Sequence, residues 1–224
     1  MSSHPALPAL AELYALQEKT FLDFHSACAP GCALCCTRNV IITSLEAEYI
    51  LSHINNETAE KISAAAKADP ALPRLHPSLS LNSMAALYMD GKNPPEDEAD
   101  PSWWPCPLLD ISSRKCTIYT HRPMACRCMI SKKCCESSDA AEMEENEVII
   151  HTLFLQATEH LDAEGRSANL LDLLMETYHP GSTDQYMPKN RKIPMLMIPP
   201  SFQQKLRPLL EEIHRILNLD APGK

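Results

Sequence analysis

Residues 28–36 read CAPGCALCC, and residues 106–135 read CPLLDISSRKCTIYTHRPMACRCMISKKCC. All 10 cysteines of the 224-residue chain fall in these two runs, and none lies between Cys36 and Cys106. Inert core thiols would be scattered at helical spacing; gathered thiols read as ligands. The first run is Cys28-x3-Cys32-x2-Cys35-Cys36. The second is Cys106-x9-Cys116-x9-Cys126-x-Cys128, followed by Cys134 and Cys135. A two-residue gap lets a tight turn aim both sulfurs at one ion, and two distant runs folded together complete a coordination shell. One tetrahedral zinc takes four ligands. The thiol count therefore implies two ions, a polynuclear iron–sulfur cluster, or spare thiols. Spacing alone does not choose between zinc and iron.

The rest of the composition narrows the setting. Apolar residues make up 45% and charged residues 22%, an ordinary globular balance that excludes whole-chain disorder. Met1–Gln17 has no basic segment and carries Glu12, so no secretory signal is expected. No uninterrupted apolar stretch of membrane-spanning length occurs. A reducing, cytoplasmic location is therefore expected, where clustered thiols bind metal instead of forming disulfides. The net charge of −9 argues against nucleic acid and against an anionic membrane surface as partners. With 5 glycines, and no GxGxxG or GxxxxGK string, the usual nucleotide-cradling loops are missing.

Apolar periodicity predicts helices over about 7–25, 44–67, 79–89, 139–163, 167–178 and 201–218. Thr43-x-x-Glu46 forms a capping box at the start of the second helix, after a β-prone piece at 38–42. Pro30 and Gly31 open the first cysteine loop, Pro70 and Pro73 mark a connector, and 91–105 is an acidic, proline-rich loop. Residues 106–138 are expected to be irregular and held by metal. The expected fold is mainly α: a helical cysteine-cluster domain over 1–138 with irregular metal-binding loops, and a C-terminal helical extension over 139–224 packed on it.

Cys106-Pro107-Leu108-Leu109-Asp110, Cys116-Thr117-Ile118-Tyr119 and Arg122-Pro123-x-x-Cys126-Arg127 together resemble the YkgJ-type cysteine-cluster family. That family is described as a zinc- or iron-chelating domain, and its relatives include flagellin lysine N-methylase. Cys32, Cys35 and Cys36 match its leading C-x2-C-x2-C-C run, while Cys28 lies one residue further upstream than the pattern. Thr43 and Glu46 match the residues that open its next helix. Cys134 or Cys135 supplies the further cysteine that follows its Cys-Arg dipeptide. The resemblance covers about 28–135 and leaves the C-terminal third without a counterpart.

The expected ligands are Cys28, Cys32, Cys35, Cys36, Cys106, Cys116, Cys126 and Cys134, with Cys128 and Cys135 as spare or packing thiols. His25 and His121 rank below them, because the thiols already suffice. Arg122 and Arg127 are expected to donate to the sulfurs and offset their charge, in preference to pairing with the acidic 95–101 loop. Trp103 and Trp104 either shield the thiols or simply pack. Asp110 and Tyr119 build turns, and Thr43 with Glu46 caps a helix. Met187, Met195 and Met197 read as loop packing before soft-metal binding. His151, Glu159 and His160 are expected on the solvent face of one helix, so no catalytic constellation emerges.

The leading functional expectation is a zinc- or iron-binding protein, with an iron–sulfur cluster among the options and no catalytic residues. One alternative is a lysine methylase-like enzyme using S-adenosylmethionine. Cys28-x3-Cys32-x2-Cys35 does match a radical-enzyme spacing, but the usual α/β barrel is not suggested by this sequence. The other alternative is a structural zinc module that docks a protein partner through its C-terminal helices.

Overall fold

Two groups of apolar side chains, brought together from distant segments of the chain, organise the computed structural model. It describes residues 4–29, 31–68, 72–138 and 141–219. Pro30, Pro70 and the first two residues expected in the 139–163 helix lie outside them. In chain order the helices are α1 (Leu7–Phe21), α2 (Ser44–His53), α3 (Asn56–Ala68), α4 (Leu81–Met89), α5 (Met124–Arg127), α6 (Cys135–Ser138), α7 (Glu145–Leu161), α8 (Leu170–Tyr178) and α9 (Pro200–Ile216). Short strands β1 (Ile41–Thr43), β2 (Leu109–Asp110), β3 (Lys115–Cys116) and β4 (Ser167–Asn169) complete the regular structure, with a 3-10 turn at Tyr119–His121. The fold is mainly α.

The first core joins α1, α5, α7 and α9 through Leu10, Leu13, Met124, Phe154 and Ile213. The second joins the β1–α2 unit to α8 and to the second cysteine loop, through Ile42, Ile50, Leu108, Ile118 and Leu174. Each such side chain, fully removed from water, is worth roughly 1.5–3 kcal/mol relative to exposure. Elements on both sides of residue 138 contribute to both cores.

Several boundaries differ from the periodicity. The helix expected over 44–67 is two helices. Ile54 is extended at the α2 C-terminus, and the Asn55 side chain accepts from Thr58 N–H at 2.8 Å to start α3. Asparagine suits a helix start better than a helix interior. The segment 106–138 is more ordered than expected, because it also packs. Leu108, Leu109, Ile118 and Met124 are buried, and β2 pairs with β3 as a small hairpin.

β1 pairs antiparallel with β4, with Ile42 opposite Ala168. The pairing is locked from the side by Asp162, whose Oδ2 accepts from Ser44 Oγ–H at 2.6 Å, Leu45 N–H at 3.1 Å and Asn190 Nδ2–H at 3.0 Å. Two of these donors belong to the first turn of α2, where helix N–H groups lack partners of their own. Gly165 leaves room for this cluster: a Cβ there would collide with Ser44 Oγ and both Asp162 carboxylate oxygens. Gly165→Ala is therefore expected to lower stability by about 1–3 kcal/mol, read as a reduced denaturation midpoint with an unchanged slope.

Candidate metal centre

The second cysteine loop is set in place by a buried carboxylate. Thr43 and Glu46 form the reciprocal cap of α2, with Glu46 N–H donating to Thr43 Oγ1 and Thr43 N–H donating to Glu46 Oε2. The same carboxylate reaches further. Its Oε1 accepts from Met124 N–H at 2.7 Å and from Tyr14 Oη–H at 3.1 Å. Glu46 is thus a clamp between α1, α2 and the first residue of α5, the helix that carries Cys126. Burial raises its pKa, while the N–H and O–H donors oppose that shift.

Arg127 holds the loop from the other side. Its Nε–H donates to Arg122 O at 2.8 Å and its Nη2–H to Thr120 O at 2.7 Å, while the guanidinium lies 4.2 Å above the Tyr14 ring. Arg127 therefore supports backbone, and its charge reaches only Cys128 among the thiols with a resolved shift. The Arg122 charge favours thiolate at Cys35, Cys116 and Cys126. The acidic loop is held instead by Arg38 and Asn39, through Trp103 O, Trp104 O and Asp100 O.

The two cysteine runs lie against each other. Cys106 N–H donates to Cys36 O at 2.6 Å, Trp104 Nε1–H donates to Ala33 O at 3.1 Å, and Ala27 N–H donates to Ser131 O at 2.7 Å. Trp104 is 41% exposed, so it acts as a tether more than a seal. The β2–β3 hairpin sets Cys116 opposite Leu109, and Asp110 closes its turn by accepting from Ser112 and Ser113. The hydroxyl and N–H donors of those two serines hold the Asp110 pKa down at about 2. Tyr119 opens the 3-10 turn and stacks under Arg122, 4.2 Å from its guanidinium.

Cys28, Cys32, Cys35, Cys36, Cys106, Cys116 and Cys126 all line one cavity of about 950 Å³. Within it, charges at Cys106, Cys116 and Cys35 would each repel a thiolate at Cys126. A thiolate at Cys32 would feel Cys135, Cys28 and Cys35 in turn. Desolvation pushes Cys106 up to about 11 and Cys126 well above the ordinary thiol range. At Cys35 the largest cause is its hydrogen bond with Cys36. Burial and neighbouring thiols therefore favour the protonated form at Cys35, Cys106 and Cys126. Among the described residues, no three His, Cys, Asp or Glu side chains stand in metal-holding geometry.

The remaining candidates separate. Cys134 is exposed next to buried Cys135, and Cys128 is enclosed in the first core, where it packs. His121 stacks on His53 with ring centroids 4.7 Å apart and near Tyr49, which gives it a packing role. Met187 is buried in the second core. The residues expected on the solvent face of α7 are drawn inward, with His160 half-buried and accepting from Ile193 N–H at 3.2 Å. Glu159 is 2% exposed, accepting from Asn82 and Arg191 N–H, and His151 lines the cavity. The reach of Glu46 to α5, the burial of Glu159 and the proximity of Cys135 to Cys32 escape sequence reasoning. Only the capping-box spacing of Thr43 and Glu46 hinted at any of them.

A family model described as "Putative zinc- or iron-chelating domain" matches residues 27–146, more than half of the chain and every cysteine in it. No curated protein and no solved structure matches the chain.

Glu46→Ala would leave Met124 N–H, Thr43 N–H and Tyr14 Oη–H buried without their acceptor. The expected loss is about 2–4 kcal/mol, with α5 amides gaining hydrogen exchange before those of α9. His151 supplies a pH signature: burial lowers its pKa from 6.5 to about 4. Between those values the unfolded chain takes up a proton that the folded chain refuses, so stability falls as pH falls through that window. The total is about 3 kcal/mol at most. The raised carboxyl pKa values of Glu46, Glu159 and Asp162 act in the opposite sense, so the contribution is read by difference: between neutral pH and pH 4 the native chain should lose more stability than His151→Leu, measured as denaturation midpoints.

Proposed function

The chain belongs to the CxxCxxCC family of zinc- or iron-chelating domains, and on that premise we propose that it holds metal through the thiolates of Cys28, Cys32, Cys35, Cys36, Cys106, Cys116, Cys126 and Cys134 in the reducing cytoplasm. The observation that carries this reading is the meeting of the two cysteine runs on the wall of one cavity. The donor chemistry fits. Thiolates are soft ligands that suit zinc and iron–sulfur clusters, and they outnumber the one histidine, His151, on the same cavity wall. Cys135 joins Cys134 as a candidate, because its charge reaches Cys32. Cys128 does not, because its side chain belongs to the first core.

The chain's own residues supply what such a centre needs. Cys116 is held by the β2–β3 hairpin, Cys126 by α5, Cys106 by its backbone bonds to Cys36 O and Leu109 N–H, and Cys35 and Cys36 by the contacts of Ala33 and Cys36 with Trp104 and Cys106. Arg122 offsets some of the negative charge that builds up as thiols lose protons. Bound zinc would cross-link the loops, and bound iron would add a redox-active centre.

Anaerobic purification with metal and acid-labile sulfide analysis tests the reading, and a visible spectrum separates iron–sulfur from colourless zinc. Cys35→Ser combined with Cys126→Ser should lose metal, whereas Cys128→Ser should retain it. Chelation under reducing conditions should raise hydrogen exchange in 28–36 and 106–121 while α7 stays protected. Metal-free protein from every anaerobic preparation would sink the proposal.

A further inference from the structure

The cavity beside the cysteines is far larger than a metal centre requires. Its volume of about 950 Å³ falls in the range of sites for small organic molecules. Beyond the thiols its wall is mainly apolar, built from Ile42, Leu81, Met84, Ile118, Leu155 and Leu170. The acids in that wall are already engaged. Glu46 accepts from Met124, Thr43 and Tyr14, Glu159 from Asn82 and Arg191, and Asp97 from Ser78 N–H. Lys115 and Arg122 also line the cavity, and neither forms an ion pair among the described residues. Arg114 lines it too but pairs with Glu136, which leaves Lys115 and Arg122 as the two wall cations without a carboxylate partner, and the Arg122 charge reaches the thiols of Cys35, Cys116 and Cys126.

From this charge complementarity we infer that the cavity binds an amphipathic organic anion. Its apolar body lies against Leu81, Met84, Ile118 and Leu155, and its anionic head meets Lys115 and Arg122 beside the cysteines. A charge-assisted pair with guanidinium or ammonium orients the head, and burial of the body supplies most of the attraction. The inference adds an organic ligand to the metal reading and does not depend on it.

Two dyes with the same arylamine body test it: anilinonaphthalene sulfonate, which carries an anionic head, and neutral phenylnaphthylamine, which does not. Each is titrated by fluorescence into the full chain, both metal-loaded and chelated. The expected result is one saturable site per chain, with the sulfonate bound about 10-fold tighter. Lys115→Met with Arg122→Met should abolish that preference. Met84→Trp, which fills the chamber, should weaken both dyes about 10-fold or more. Leu155→Trp serves if Met84→Trp fails to fold, with near-ultraviolet circular dichroism verifying native packing in every variant. Binding without saturation, equal affinity for the two dyes, or unchanged affinity in a folded filling variant would each overturn the inference. Dye discrimination in a protein that takes up no metal would uphold the chamber and refute the metal reading. Metal uptake without dye binding would do the reverse.

Discussion

A single carboxylate, that of Glu46, joins three segments of the chain that the cysteines need held together. It closes the cap of α2, takes the hydroxyl of Tyr14 from α1, and accepts the first N–H of α5. Each of those donors would otherwise be buried with an unmet hydrogen bond, which ties their geometry to this one side chain. α5 is only four residues long and cannot stabilise itself by helix propagation. Its position, and with it the direction of Cys126, is borrowed from the clamp. Arg127 completes the same task by gathering the carbonyls of Thr120 and Arg122, so the loop is braced at both ends.

Asp162 has the corresponding role in the neighbouring layer. It gathers donors from α2 and from Asn190, in the room left by Gly165, and so joins the C-terminal third to the β1–α2 unit. Through β1–β4 pairing and the packing of α8, the second core extends to Leu108 and Ile118 beside the thiols. Residues outside the family match therefore support the cysteine loops. The far wall of the cavity, with Leu155 and His151 on α7, comes from there too.

The thiols themselves show the balance that a protonated site strikes. Desolvation raises the pKa of Cys106, Cys116 and Cys126, neighbouring thiols add to the rise at Cys106 and Cys126, and Arg122 opposes it at Cys116 and Cys126. A divalent cation would reverse that balance, because its charge favours thiolate strongly enough to release the protons. Uptake of metal and release of protons are thereby linked.

By itself the sequence determined the elements whose signals are local. Helical periodicity located α1, α4, α8 and α9 within a few residues and began α7 too early, Thr43 and Glu46 announced their cap, and the clustered cysteines announced metal chemistry along with the family. Tertiary structure decided whatever depends on residues far apart in the chain. It divided the helix expected over 44–67, because Asn55 finds a start for α3 that periodicity does not register. It gave residues 106–138 a packed interior, because Leu108, Ile118 and Met124 join cores built by other segments. It turned Glu46 into a clamp and drew Glu159 and His151 inward, because the donors and walls that surround them come from dozens of residues away. Spacing along a chain reports which side chains share a face. It carries no record of what that face meets, and burial, shared acceptors and the cavity beside the thiols are all properties of that meeting.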